Sequence, residues 1–238
     1  MRTSSGPVAV GVVLAAGMGT RVGADGNKAY LPLAGRSMVS WSVEAVASTP
    51  EIDRTLLVHR AGERDLAETM LNTELPSLVV ELVEGGDTRH GSEFNVLTYL
   101  ADDVGAGLVD VVLIHDGARP LAGPDLMRAA LTTARRFGGA IPGLPAGDVV
   151  RDDGHGRATT VDGTLVRVQT PQAFHAGPLL AAYRAADAAG FDGTDTSACI
   201  QRFTDVDVHC FPGAAANFKV TFPHDVDVAA RLLDSRAG

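Results

Sequence analysis

Lysine is almost missing from this chain. Its 238 residues include 20 basic side chains, and all but Lys28 and Lys219 are arginines. Cysteine is nearly as scarce: Cys199 and Cys210 are the only two, with no C-x-x-C between them, which excludes a disulfide framework. They read as two buried thiols of a protein working in a reducing cytoplasm. No apolar run approaches membrane-spanning length, and Met1 to Pro7 is too short and too polar for a signal peptide. No basic stripe interrupts a net charge of −9, which argues against a nucleic-acid partner. Two familiar phosphate motifs are missing as well. Gly19 is followed by Thr20 and Arg21 rather than by Gly-Lys-Ser/Thr, so there is no Walker loop. Val22 stands where the third glycine of a dinucleotide fingerprint belongs, which disfavours a nicotinamide-dependent dehydrogenase.

What remains is a globular composition, 45% hydrophobic and 21% charged, long enough for one large domain over residues 1–238. The chain is organised around Val8 to Leu31. An apolar run, Val8 to Leu14, reads as a buried strand and breaks into Ala15, Ala16, Gly17 and Gly19. Small residues after a buried strand let backbone N–H groups approach a large anion unhindered. Arg21 and Lys28 add charge that amides lack, so the simplest ligand is the phosphate chain of a nucleotide. A lysine in an arginine-rich background marks a place that needs a compact, flexible ammonium rather than a planar fork.

Further strands are expected at Thr55 to Val58, Leu78 to Leu82, Val109 to Ile114, Ala140 to Gly143 and Val206 to Phe211. Helices are expected between them at Pro32 to Ala47, with Trp41 in the core, and at Ala61 to Leu71, Glu93 to Leu100 and Pro124 to Phe137. Two more, Leu179 to Ala189 and Val226 to Leu233, follow later in the chain. That alternation predicts an α/β fold, a mostly parallel sheet with helices on both faces. Ligands of such sheets sit outside the carboxyl ends of the strands. The polar segments 15–28, 85–92 and 115–119 all fall at such ends and are expected to converge. Residues 145–168 change character to short β-like pieces and turns with no covering helix. They read as a projecting β-arm that packs on a second copy of the chain, a homodimer.

Seven segments, LAAGMGTR (14–21), NKAYL (27–31), GGDTRHGS (85–92), HDGARP (115–120), QTPQAF (169–174), TDTSA (194–198) and NFKVT (217–221), resemble the 2-C-methyl-D-erythritol 4-phosphate cytidylyltransferase family. The resemblance implies a Rossmann-like nucleotidyltransferase fold, CTP and a polyol phosphate as substrates, Mg²⁺ as cofactor and a dimer completed by the arm. It implies that Ala15, Ala16, Gly17 and Gly19 cradle the triphosphate, and that Gly86, Asp87 and Ser92 surround the cytosine. Asp116 is implied beside the ribose–phosphate region and the metal, with Ala118 and Arg119 shaping the same turn. Mg²⁺ prefers one or two carboxylates plus substrate phosphates, and Asp116 is the acid placed for that at a strand end. Arg21, Lys28 and Lys219 are the implied catalytic cations.

On the acceptor side the implied residues are Asp148, Arg151, Arg157, Thr194 and Asp195. Here the chain departs from the family. Val149 replaces a threonine, and Asp162 stands where members carry an arginine eight residues before the Thr of T-P-Q. The expected reaction is cytidylyl transfer from CTP to methylerythritol phosphate. A different polyol phosphate such as ribitol 5-phosphate, or CTP binding without turnover, are the alternatives.

Overall fold

The first strand, Val8–Leu14 (β1), buries side chains on both faces: Ala9 and Val13 on one, Val10 and Val12 on the other. A strand with no solvent face needs a packed layer on each side. In the computed structural model, which describes residues 8–17 and 27–237, the chain supplies both. A short hairpin, Pro32–Leu33 (β2) and Arg36–Ser37 (β3), leads into helix Met38–Ala47 (α1). Ile52–His59 (β4), Arg64–Glu74 (α2), Glu81–Glu84 (β5), Arg89–Tyr99 (α3) and Ala101–Gly105 (α4) follow. Next come Val109–Asp116 (β6), Pro124–Phe137 (α5), Gly139–Pro145 (β7) and the arm hairpin Val150–Asp152 (β8) with Ala158–Thr160 (β9). Val166–Val168 (β10), Gln172–His175 (β11), Ala176–Ala188 (α6), Thr196–Phe203 (α7), Val208–Pro212 (β12) and Pro223–Ala237 (α8) complete it.

Among the described residues the main sheet has eight strands in the order β10-β7-β11-β6-β1-β4-β5, with β12 on the other edge of β7. β1 lies between β4 and β6 and runs parallel to both; β5 is parallel to β4, and β12 to β7. The returns β10 and β11 are antiparallel. One apolar layer uses α1, α2 and α5, through Val43, Met70 and Leu131 among others. The opposite layer uses α3, α6 and α7, through Leu97, Tyr183 and Ile200. Gly11 lets α1 seat directly on β1, because a Cβ there would lie 2.3 Å from Val46 Cγ1. A third cluster of Leu33, Met38, Ala118, Leu121, Val220 and Leu233, with Trp41 packed against it, ties α8 and the hairpin to the end of β6.

The expected alternation is what forms, with local corrections. Pro32 to Ala47 is not all helix. Ala34 and Gly35 take φ of 47° and 85°, and this turn builds the β2–β3 hairpin before α1 begins. The helix expected from Glu93 starts at Arg89, because the Thr88 hydroxyl accepts the Gly91 N–H at 2.9 Å and caps it. The strand expected at Leu78 to Leu82 pairs only over Glu81–Glu84, where β4 provides partners. Cys199 is buried as expected, but Cys210 is exposed, on edge strand β12. Within the arm, β10 joins the main sheet through β7, so the projecting part is the β8–β9 hairpin.

Candidate active site

Parallel pairing in register brings the ends of β1, β4, β5 and β6 to one edge of the sheet. Leu14 lies opposite both Val58 and Asp116, and His59 opposite Glu84. The loops that leave these strands are then stitched together. Ala15 N donates to Val58 O, Gly117 N to Leu14 O and Gly85 N to His59 O, at 2.8–2.9 Å. Gly85 is squeezed between them: a Cβ there would meet Ala16 Cβ at 2.6 Å and Ser92 Oγ at 2.8 Å. The result is a cavity of about 590 Å³, a size that suits a small-molecule site.

Most of the expected nucleotide residues line this one cavity. Ala15, Ala16 and Gly17 come from the loop after β1, and Gly86, Asp87 and Ser92 from the loop after β5. Asp116 and Ala118 come from the end of β6; Lys28 and Lys219 complete the wall. Gly19 and Arg21 lie outside the described residues. Ser92 works on its own loop: its hydroxyl accepts from Gly86 N at 3.1 Å and donates to Thr88 O at 2.9 Å.

The two lysines arrive by different routes and meet. Asn27 caps the turn Lys28–Tyr30, its Oδ1 accepting from Ala29 N at 3.0 Å, while its Nδ2 donates to Ala15 O at 2.6 Å. Lys28 Nζ donates to Val220 O at 3.1 Å, beside Lys219. The segment bearing Lys219 has no regular structure of its own and is held by the end of β6. Val220 N donates to Ala118 O at 2.8 Å, and Arg119 Nη1 to Asn217 O at 2.8 Å. Asn217 Nδ2 in turn donates to Thr170 O at 2.8 Å.

Asp116 is the electrostatic centre. Its Oδ2 accepts from Lys219 Nζ at 2.8 Å, its Oδ1 pairs with Arg89, and Arg119 Nε lies 3.8 Å away. Burial works against its charge, but Arg89, Lys219 and Arg119 outweigh burial and hold the carboxyl well below the usual carboxylate range. Its backbone is fixed by a directional chain. Asp116 N donates to Thr170 Oγ1 at 3.0 Å, Thr170 Oγ1 lies 3.1 Å from His115 Nδ1, and His115 Nε2 lies 3.1 Å from Arg119 O. A carbonyl only accepts, so Nε2 carries the proton and Nδ1 receives the threonine hydroxyl. Burial pushes the His115 imidazole down to about 4, which keeps it in that neutral form.

The acceptor-side residues do not join this cluster. Asp148, Arg151 and Arg157 are exposed along the arm, and none of them lines the cavity of the same chain. Thr194 is exposed. Asp195 caps α7, accepting from Ser197 N at 2.9 Å, and also accepts from Gln172 Nε2 at 2.8 Å.

With this geometry in place, the comparison with known proteins is specific. A model of the 2-C-methyl-D-erythritol 4-phosphate cytidylyltransferase family matches residues 9–235. The chain belongs to this family. A cytidylyltransferase of that name from Cereibacter sphaeroides is 40% identical over 232 residues, spanning 95% of this chain and 97% of the relative. One from Geobacter metallireducens is 37% identical over 228 residues, 94% of this chain and 97% of the relative. Among solved structures, the 4-diphosphocytidyl-2C-methyl-D-erythritol synthase of Anaerococcus prevotii superposes with a TM-score of 0.82 at 27% identity, covering 96% of each chain. The cytidylyltransferase of Thermus thermophilus gives 0.73 at 28% identity, over 94% of this chain and 98% of the other.

Read as a cytidylyltransferase-family site, the cavity contains two basic residues the sequence did not single out. Arg60, exposed at the end of β4, and Arg89, in the first turn of α3, both line it. Arg89 sits inside the GGDTRHGS segment, and its signal was hidden by a helix start placed one turn too late.

Proposed function

We propose that this protein transfers a cytidylyl group from CTP to 2-C-methyl-D-erythritol 4-phosphate, releasing pyrophosphate and 4-diphosphocytidyl-2-C-methyl-D-erythritol. The observation that carries the reading is the meeting of Lys219 with Asp116, 103 residues earlier, at 2.8 Å in the cavity that the loop after β1 opens into. A site that must collect four phosphate charges in an acidic protein needs such a concentration of cations. The attacking oxygen of a phosphate monoester is already an anion, so no strong general base is required. Catalysis is positioning plus neutralisation of charge at a five-coordinate phosphorus.

In this proposal Gly17 and its neighbours cradle the triphosphate, with Lys28 and Lys219 flanking the α-phosphate and Arg21 at the outgoing pyrophosphate. Lys219 leaves Asp116 for the phosphate when the nucleotide enters. Asp116 also fits a Mg²⁺ ligand: it lines the cavity, it stays ionised, and Mg²⁺ needs only one or two carboxylates when substrate phosphates supply the rest. Bound there, the metal would neutralise phosphate charge. Asp87 and the glycines of its loop face the cytosine.

The arm belongs to the same proposal. Val149, Val150 and Val166 are exposed on it without a local core, which supports a homodimer built through the arm. Arg151 and Arg157 would then reach the acceptor phosphate in the partner's cavity, taking over from the arginine that Asp162 replaces. Two unpaired thiols suit the reducing cytoplasm as the place of action. The test is pyrophosphate release with CTP and Mg²⁺ over a panel of polyol phosphates. Release with methylerythritol phosphate is expected. Release with ribitol 5-phosphate alone would replace the acceptor, and CTP binding with no release under any acceptor would remove the enzymatic reading.

A further inference from the structure

Arg89 is held from two sides. One side is Asp116; the other is Glu93, one helical turn further along α3, whose Oε1 lies 3.2 Å from Arg89 Nη2. Glu93 is itself anchored from two other helices. Its Oε1 accepts from Thr196 Oγ1 at 2.7 Å, at the start of α7, and its Oε2 accepts from the Tyr183 hydroxyl of α6. The side chain is 1% exposed. Burial pushes the Glu93 carboxyl above the usual carboxylate range, while Arg89, Tyr183 and Thr196 pull it back. Among the described residues each group bonded to it is a donor, which offsets the cost of a charge placed so deep. The charged group paired with this buried acid, among the described residues, is an arginine that lines the cavity.

Three cations surround Asp116, and the two that bond its oxygens differ in exposure. The Lys219 side chain is 42% exposed and the Arg89 side chain 25%. A guanidinium without Glu93 would be able to turn as a whole toward incoming phosphate or take both oxygens of Asp116. Glu93 instead fixes the second edge of the fork. Asp116 then keeps Arg89 stationary while its most exposed cation, Lys219, is available to the substrate.

We infer that Glu93 is a positioning residue for nucleotidyl transfer: it locks Arg89 onto Asp116, so that Asp116 is oriented by Arg89 while Lys219 is left to serve the phosphate. The inference rests on the proposed reading of this cavity and adds to it a residue outside the cavity wall. It also joins the nucleotide side of the site to α7, whose first residue is Thr196.

A double-mutant cycle on kcat tests it, using the full-length chain with CTP, Mg²⁺ and methylerythritol phosphate. Glu93→Gln keeps the shape but removes the charge, and kcat should fall about tenfold while KM for CTP stays within about twofold. In an Arg89→Gln background the same change should cause no further fall in kcat, because the side chain it acts through is gone. A merely structural glutamate would lower the melting temperature and would reduce kcat by the same factor in both backgrounds. That equal factor, or full kcat in Glu93→Gln alone, overturns the inference. The double variant leaves no unpaired buried charge and is the one expected to fold best. Should Arg89→Gln alone be insoluble, Glu93→Asp, which keeps the charge but shortens its reach, must show the same kcat loss at unchanged KM. A wild-type chain with no turnover would instead condemn the proposed function, so the two failures are distinguishable.

Discussion

Replacing Lys219 by alanine is the perturbation whose outcome the geometry specifies most fully. Its ammonium is 2.8 Å from Asp116 Oδ2, yet its side chain is 42% exposed. Only the lysine end is open to water, since the Asp116 side chain is 9% exposed. Water solvates much of what the ammonium gives there, and its loss costs about 1 kcal/mol of stability. Asp116 also keeps Arg89 and Arg119 beside it, so no buried charge is stranded. The variant should therefore fold with a melting temperature close to that of the parent. Turnover is another matter. A preorganised group facing charge that develops at the transition state is worth about 10²–10³ in kcat, or roughly 3–4 kcal/mol. Pyrophosphate release at saturating CTP should fall by that factor, with KM for CTP changed far less. Lys219→Arg should recover less than about a tenth of the activity, because a broad planar fork cannot replace a compact ammonium in a space already shared with two guanidinium groups. A folded Lys219→Ala variant that keeps near-full turnover would rule out this role for the ammonium.

The remaining predictions concern stability and assembly. His115 is neutral when folded, with its imidazole pushed down to about 4 by burial, against 6.5 when unfolded. Its contribution is complete above the unfolded value and is lost as pH falls from there toward 4, with about 2 kcal/mol gone by about pH 5. Urea unfolding of wild type and His115→Asn at about pH 7 and 5 should show a steeper loss in the wild type; parallel losses would rule out this histidine as the cause. Gly85→Ala would drive a methyl group into Ala16 and Ser92, and should raise KM for CTP at least several-fold by prising apart the loops after β1 and β5. An unchanged KM would show that the contact is not part of the nucleotide site. Removing the β8–β9 hairpin, residues 148–162, should yield a monomer in analytical ultracentrifugation, and a stable dimer without it would place the interface elsewhere.

How much of this was legible before the fold is best seen element by element. Helix α5 was readable to the residue, because Pro124 opens it and Gly138, at a φ of 101°, closes it. Lys219 was readable for a chemical reason: in a chain that otherwise uses arginine, a lysine stands out even where no regular element carries it. The start of α3 was not readable. Gly91 and Ser92 look like loop residues, and only the Thr88 cap shows that the helix already runs through them. That misplacement hid Arg89 and Glu93, whose one-turn spacing has meaning only on a helix. The edge strand was also misplaced, since Leu78 and Val80 are apolar for packing against the core while pairing waits for β4 at Glu81. Burial and pairing coincide in a central strand such as β6, and they separate at an edge.

In the proposed function, the loops after three strands and one late lysine enclose a single triphosphate. A crystal structure of the protein with CTP tests it most directly. The triphosphate should lie within hydrogen-bonding distance, about 3 Å, of both the Gly17 backbone and Lys219 Nζ. CTP seated away from the ends of β1, β5 and β6, or bound there with Lys219 still on Asp116 and out of reach of any phosphate, would contradict it.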